Sequence, residues 1–505
     1  MSTIRHVQST PGELEVDRSA GPTSSALVWI GLTILAVAGA WLLVAAWEEG
    51  LSGGRDFVQD YAAVVKIGQG RNPYEPYNDV SQELFGGPPH RGPLYSFHAP
   101  SSLPLVVWLL PFAKLWGYTG AFLAWGVVSL VALWSICWMT LRVLRMPRPA
   151  LAAVLAALAL IILPAIRESF EEGQLNVVVA AGMVGCWAAR RGGRSGLAGV
   201  LLGAAFALKP IPGLFFLYYA WRRDWRLLIA AGATVAVLSI VGLGLSGLEG
   251  AWLWATVNYP SHADVWPGYP DNASVRGFFT RIFGPTEWRP RPRYPLPYAA
   301  MLLWAACGAL LTVLAIRVAK SGPRMNDPSG SRSALDQALW GLTTPPPLAR
   351  EDPRGDLEVA VLTILTLLVT PIVWPHYYVV LVMPIALAAT YLGRLVLDGS
   401  VRAPAEPDAE AGSDAALVAP AEGRAGPAPP YDGRRRVLPM LAILVMVLAT
   451  AVLAGAHYVE PFRGVGGQQL LMLLVLFGAS LVALGWSAKG HGRGVSPVAE
   501  RYSAI

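Results

Sequence analysis

ALVWIGLTILAVAGAWLLVAAW (Ala26–Trp47) holds no charged residue in 22 positions. As an α-helix it would reach about 33 Å, enough to cross a hydrocarbon core about 30 Å thick. Glu48 and Glu49 follow it where a small-residue cleavage site would be needed. The run is also longer than the apolar part of a cleaved signal, so it reads as an uncleaved signal anchor. Nine more apolar runs follow, at 120–141, 150–166, 176–189, 227–246, 298–318, 357–373, 377–397, 437–457 and 469–487. Two further apolar segments are broken: 196–221 by Lys209, Pro210 and Pro212, and 101–116 by Pro104 and Pro111. The expected fold class is an all-α polytopic membrane protein with about 12 transmembrane helices and two large outer loops.

Composition agrees with that class. Of 505 residues, 54% are hydrophobic and only 14% charged, against about 25% charged in soluble domains. The mean hydropathy is +0.46. The 19 tryptophans suit membrane–water interfaces. A net charge of +6 is too small to argue for nucleic acid. Cys137, Cys186 and Cys307 all lie in or beside apolar runs, and an odd number there argues against a disulfide framework or a metal cluster. Neither metal nor cofactor is expected.

Orientation follows from arginines in short loops, which favour the cytoplasm. Arg142, Arg145 and Arg148 form one basic loop, Arg190, Arg191 and Arg194 the next, and Arg222, Arg223 and Arg226 the third. Glu168, Glu171 and Glu172 then fall outside. Because the second and third loops flank 196–221, that segment must enter and return. Each half would reach only about 20 Å as helix, so two half-spans should meet near Lys209-Pro210, a break tolerated only where it lines a cavity. Parity makes 101–116 interfacial or re-entrant. Residues 1–25 read as a cytoplasmic tail, 26–397 as the transmembrane module with a cytoplasmic linker at 319–356, 398–436 as a disordered linker, 437–487 as a C-terminal hairpin and 488–505 as a cytoplasmic tail. No internal repeat is evident.

The outer loop 48–102 is too long for a connector and too apolar for disorder. Tyr61, Tyr74, Tyr77, Tyr95 and Phe97 suit short interfacial helices. Asp56 and Asp60 share a helical face, where a carboxylate can take a proton from a hydroxyl; a solvated loop charge or a helix cap is the alternative. Gln174 and Asn176 can bind sugar hydroxyls or cap a helix. Lys209 is an intramembrane cation, hence a functional candidate, or it snorkels or pairs with a carboxylate. The second outer loop, 247–297, holds Arg276, Arg281, Arg289, Arg291 and Arg293 against the usual bias. These suit a phosphate or anionic headgroups. His376 can contact a phosphate or the reacting oxygen, or serve as an interfacial anchor.

Several short strings, in order, resemble glycosyltransferase family 87, whose members use polyprenyl-phosphate mannose and have the C-type membrane glycosyltransferase fold. They are Asp56-Phe57 with Tyr61-Ala62-Ala63 and Pro73-Tyr74; Gly173-Gln174-Leu175-Asn176; Ala207-Leu208-Lys209-Pro210; Asn272 to Arg276 with Arg281; and Trp374-Pro375-His376-Tyr377. Phe97-His98-Ala99-Pro100 stands where the family has Tyr-Pro-Pro, and Asn272-Ala273-Ser274 where it has Asn-Gln-Ser. The resemblance implies an inverting hexosyltransferase with Asp56 as the catalytic base. Asp60, Tyr61, Gln174, Asn176, Lys209, Asn272, Arg276 and His376 are the expected substrate-binding residues, with Lys209, Arg276 and His376 at the departing phosphate. The implied partners are a polyprenyl-phosphate sugar donor, with mannose the expected hexose, a lipid-linked or cell-envelope glycan acceptor, and membrane lipids. The implied location is the bacterial plasma (inner) membrane, with the active site facing outward. A transporter or flippase for a lipid-linked sugar explains the spans, Lys209 and the outer arginines equally well, but not a long aromatic outer loop with carboxylates. A non-catalytic scaffold leaves the intramembrane charge unexplained.

Overall fold

The computed structural model describes residues 22–53, 56–76, 78–85, 103–146, 148–260, 266–270, 272–284, 296–320, 352–401, 475–478 and 480. These are helical, with no strand among the described residues. Helix α1 (Pro22–Gly53) carries the first apolar run onward past Glu48 and Glu49. Two short helices follow, α2 (Asp56–Gly68) and α3 (Asn78–Phe85), where interfacial helices are expected. The turn between them is closed by Lys66, which is fully buried and donates to the Glu75 carbonyl at 3.1 Å and to the Pro76 carbonyl. Burial pushes the Lys66 ammonium down from its ordinary value.

Helix α4 (Leu103–Val143) contains the next span but breaks at Gly117, which has φ 61° and ψ −172°. The expected separate segment 101–116 therefore leads directly into the span, and Gly117, rather than Pro104 or Pro111, divides the two. The run at 150–166 departs from a simple span. Helices α5 (Pro149–Leu160) and α6 (Pro164–Glu171) are bent by 86°. Pro164 lacks the N–H that would continue α5 but fits the first turn of a new helix.

Helices α7 (Asn176–Arg191), α8 (Ser195–Leu208), α9 (Gly213–Trp221) and α10 (Trp225–Leu253) come next. The 195–221 segment does divide at Lys209–Pro212, where Lys209 is extended (φ −146°, ψ 134°). Its two ends come together, since Ser195 Oγ donates to Asp224 Oδ2 at 3.3 Å. The chain thus runs out along α8 and returns along α9. On α8, Gly199 and Gly203 are four residues apart and let α10 approach closely: a Cβ on Gly203 would lie 2.9 Å from Thr234 Cβ and 3.0 Å from Ala231 Cα. Small residues at this spacing favour packing between membrane helices.

The described residues of the segment 247–297, expected as an outer loop, are largely helical. Helix α10 continues past a break at Gly247 into a π-turn, Trp254–Asn258. A 3-10 turn, Trp266–Gly268, and helix α11 (Val275–Phe283) follow. Helix α12 (Pro297–Lys320) is the next apolar helix. Helix α13 (Pro353–Val369) begins before the expected end of the 319–356 linker. Asp352 caps it by accepting from Gly355 N at 2.9 Å. A 3-10 turn (Pro375–Leu381) then leads into α14 (Val382–Val401).

Four described helices are long and apolar enough to cross a membrane, and the bent α5–α6 pair would make five. The expected total of about 12 is not reached among the described residues. The run at 437–457 and most of that at 469–487 lie outside them, as does 402–436 of the expected linker 398–436, whose first four residues continue α14 instead.

A charged lattice joins one end of these helices. Asp356, fully buried, accepts from Trp187 Nε1 at 2.9 Å and Tyr391 OH at 2.7 Å, and pairs with Arg191 at 2.9 Å. Glu358 accepts from Tyr218 OH at 2.8 Å, pairs with Arg354 at 3.3 Å and takes a hydrogen bond from Arg222. Asp224 pairs with Arg190 at 2.6 Å. The second and third basic loops, read as cytoplasmic, are therefore tied to buried or half-buried carboxylates, Arg190 to Asp224, Arg191 to Asp356 and Arg222 to Glu358, and α7 leads away from them.

Candidate active site

Helix α7 is 16 residues long, about 24 Å. Gln174 and Asn176 lie at its far end. Gly173, immediately before them, has φ +66°, and a Cβ there would sit 2.7 Å from Phe57 Cβ. Only glycine lets the α6–α7 turn meet the start of α2 this closely. Phe57 N donates to the Glu172 carbonyl at 3.0 Å. The ring of Phe57 packs edge-on against Phe122 at 5.5 Å, and Tyr61 against Tyr118 at 5.2 Å, which fixes α2 on α4. Asp56, in the first turn of α2, is thereby delivered to Gln174.

Both oxygens of Asp56 are held by amides. Gln59 Nε2 donates to Oδ1 at 3.2 Å, and Gln174 Nε2 donates to Oδ2. Lys209 reaches the same point from the α8–α9 break. Its Nζ donates to Gln174 Oε1 and to Asn176 Oδ1, each at 2.9 Å, and lies 4.7 Å from the ring centre of Tyr377. Asp60 is one turn along α2 and, like Asp56, acts electrostatically on Lys209. Tyr61 is buried in the aromatic packing of α2. Burial, together with the Glu83 carboxylate, pushes its phenol up.

His376 precedes Tyr377. Its Nδ1 lies 3.4 Å from Glu168 Oε1, and its carbonyl accepts from Ser169 Oγ at 3.3 Å. The bend before α6 makes this grip possible. His376 is 5% exposed, and its Nε2 has no hydrogen-bond partner among the described residues.

Asn272 is used differently. Its Nδ2 donates to the carbonyls of Trp266, Pro267 and Pro371 at 3.2–3.3 Å. Its Oδ1 accepts from Ser274 N at 3.1 Å and Val373 N at 3.0 Å. It staples the 266–274 segment to residues 371–373, just before His376. Arg281 is likewise spent on the carbonyls of Tyr269 and Asn272, at 2.8 and 2.9 Å. Arg276 is half-buried, with its guanidinium 5.7 Å from the Trp304 ring. Arg289, Arg291, Arg293 and the Phe97–Pro100 string lie outside the described residues.

Asp56, Gln174, Asn176 and Lys209 thus form one hydrogen-bonded cluster, with Tyr377 against it. Gln59, Tyr377 and Glu168 escape a reading of the sequence as site residues. Gln59 has a local signal, standing one helical turn from Asp56. Glu168 has none, because its partner is 208 residues away.

A carboxylate is thus aligned by two amides beside a cation on a broken helix. Residues 102–335 match glycosyltransferase family 87. The resemblance expected from the sequence is shown for this segment. The family 87 segment contains Gln174, Asn176, Lys209, Asn272 and Arg276, whereas Asp56 and His376 stand outside it. A similar protein from Mycolicibacterium smegmatis, 30% identical over 256 residues, is a polyprenol-phosphate-mannose-dependent alpha-(1-2)-phosphatidylinositol mannoside mannosyltransferase. One of the same description from Mycobacterium tuberculosis is 27% identical over 309 residues. These matches cover 50% and 53% of this chain. The chain spans 50% of the first relative's length and 68% of the second's. ArnT from Cupriavidus metallidurans bound to undecaprenyl phosphate aligns over 90% of this chain and 77% of its own, at 17% identity and a TM-score of 0.37. That superposition is too loose to bear on the fold.

Proposed function

We propose that this chain is an inverting hexosyltransferase of the C-type membrane fold. It moves a hexose, mannose in the favoured reading, from a polyprenyl-phosphate sugar to a lipid-linked or cell-envelope glycan acceptor on the outer face of the plasma membrane. The observation that carries the reading is Asp56, its two oxygens held by Gln59 and Gln174 next to Lys209. The family 87 match and the two mannosyltransferase relatives support the donor class.

In the reaction, Asp56 takes the proton of the acceptor hydroxyl. The acceptor oxygen forms a bond to the anomeric carbon from the face opposite the phosphate. The bond from that carbon to the phosphate oxygen breaks, and the electron pair leaves with the lipid phosphate. Donors aimed at that oxygen are worth most as its charge develops. The Arg276 guanidinium fills that role, and so does His376 Nε2, buried and without a partner among the described residues, when the ring carries a proton on both nitrogens with Nδ1 facing Glu168.

The test is transfer in detergent from radiolabelled polyprenyl-phosphate mannose to extracted lipid acceptors. Transfer needs one compartment, whereas transport needs two, so product in detergent rules out a transporter. Asp56→Asn keeps the shape but removes the basic lone pair, and should lower transfer by about 10²- to 10⁴-fold or more. Expression and donor binding should stay near wild type. Asp60→Asn, one turn away, should remain active. If Asp60→Asn is the dead variant instead, the base is misassigned; if both transfer normally, the mechanism fails.

A further inference from the structure

The Lys209 ammonium can only donate hydrogen bonds. Each amide it touches must therefore turn its carbonyl oxygen toward Nζ and its NH₂ group away. For Gln174 this is consistent at both ends, because its Nε2 meets the Asp56 carboxylate, which can only accept. For Asn176 the outcome differs. Its Oδ1 is taken by Lys209 at 2.9 Å, and its Nδ2 has no partner among the described residues although the side chain is fully buried. A buried amide donor left unpaired costs about 1–3 kcal/mol, so the position calls for an acceptor that arrives later. Nζ itself is turned to two carbonyls and the Tyr377 face, not to an open anion site.

We infer that Lys209 is a positioning residue and not the phosphate ligand that its place in the sequence suggests. It orients two amides with separate tasks. Gln174 holds Oδ2 of the base, and Asn176 presents Nδ2 to an acceptor oxygen on the bound donor. This rests on the reading of Asp56 as base. That oxygen belongs either to the phosphate or to a sugar hydroxyl.

Two nearly isosteric substitutions separate the tasks. Gln174→Glu and Asn176→Asp each keep an oxygen for Lys209 and replace the opposite N–H with an oxygen. Gln174→Glu should lower kcat about tenfold or more with KM for donor little changed. Asn176→Asp should weaken donor binding about tenfold or more with kcat little changed, the expected loss for a contact to a charged or strongly polar oxygen. Lys209→Met should show both defects. If the added charge unfolds either variant, Gln174→Met and Asn176→Leu should give the same split.

Binding of polyprenyl phosphate without its sugar locates the oxygen. Equal weakening of sugar-bearing and sugar-free lipid by Asn176→Asp assigns it to the phosphate; weakening of the sugar-bearing lipid alone assigns it to a hydroxyl. Wild-type kcat in Gln174→Glu together with wild-type binding in Asn176→Asp would overturn the inference. So would a Lys209→Met defect confined to donor binding. An active Asp56→Asn would sink the base reading instead, leaving the Asn176 binding result to stand or fall alone.

Discussion

Asn272 is fully buried and makes hydrogen bonds only to backbone. In the sequence it sits in a family string and reads as a substrate contact. In the fold it joins the 266–274 segment to residues 371–373. Without it the Pro371 carbonyl keeps Ser274 Oγ and the Trp266 carbonyl keeps Tyr269 N, but the Pro267 carbonyl and the Ser274 and Val373 N–H groups lose the bonds that Asn272 gives them. Each unpaired buried group costs about 1–3 kcal/mol, so Asn272→Ala should destabilise the protein by about 3 kcal/mol or more. A large fall in the thermal midpoint in detergent checks this; an unchanged midpoint would mean the staple is dispensable. The contrast with Asp56 shows what a motif conveys. Both residues were visible as polar positions in apolar surroundings. Which one faces a ligand depends on partners 99 and 101 residues away, and no local pattern encodes that.

At the scale of elements, prolines were legible where they coincide with a charge. Lys209-Pro210-Ile211-Pro212 marked the break between α8 and α9, and the structure breaks there. Pro164 was equally visible, yet the 150–166 run read as one span because its hydropathy is continuous. The 86° bend brings Glu168 and Ser169 to His376, a tertiary gain that hydropathy cannot report. The α6–α7 turn is the hinge of the candidate site. Gly173→Ala would place a side chain at φ +66° and 2.7 Å from Phe57 Cβ. The strain costs about 1–3 kcal/mol, and relief requires α2 to move off Gln174. We expect Gly173→Ala to lower transfer more than Phe57→Leu, which shortens the contact without straining the backbone. Equal transfer in the two would show that packing of α2, and not the turn, sets the position of Asp56.

For the whole molecule, the decisive feature is that the candidate site and the paired arginines lie at opposite ends of α7. Gln174 and Asn176 meet Asp56 and Lys209 at its start, whereas Arg190 and Arg191 meet Asp224 and Asp356 at its end. Arginines in short loops favour the cytoplasmic side, and these loops also carry Arg222 and Arg223. Their partial neutralisation by buried carboxylates was not legible in the sequence, since Asp356 reads there as the end of a linker. It does not reverse the bias, because exposed Arg223 has no carboxylate partner among the ion pairs described. The Asp56 end should therefore face outward, where a lipid-linked sugar would be presented. Cysteine labelling in intact cells tests this directly. Cys137 and Cys186 are buried, so replacing Cys307 leaves a quiet background. Glu83→Cys, on exposed α3, should react with an impermeant thiol reagent. Arg223→Cys should react only after the membrane is opened. The reverse pattern would put Asp56 in the cytoplasm and remove the outer-face donor from the proposed reaction.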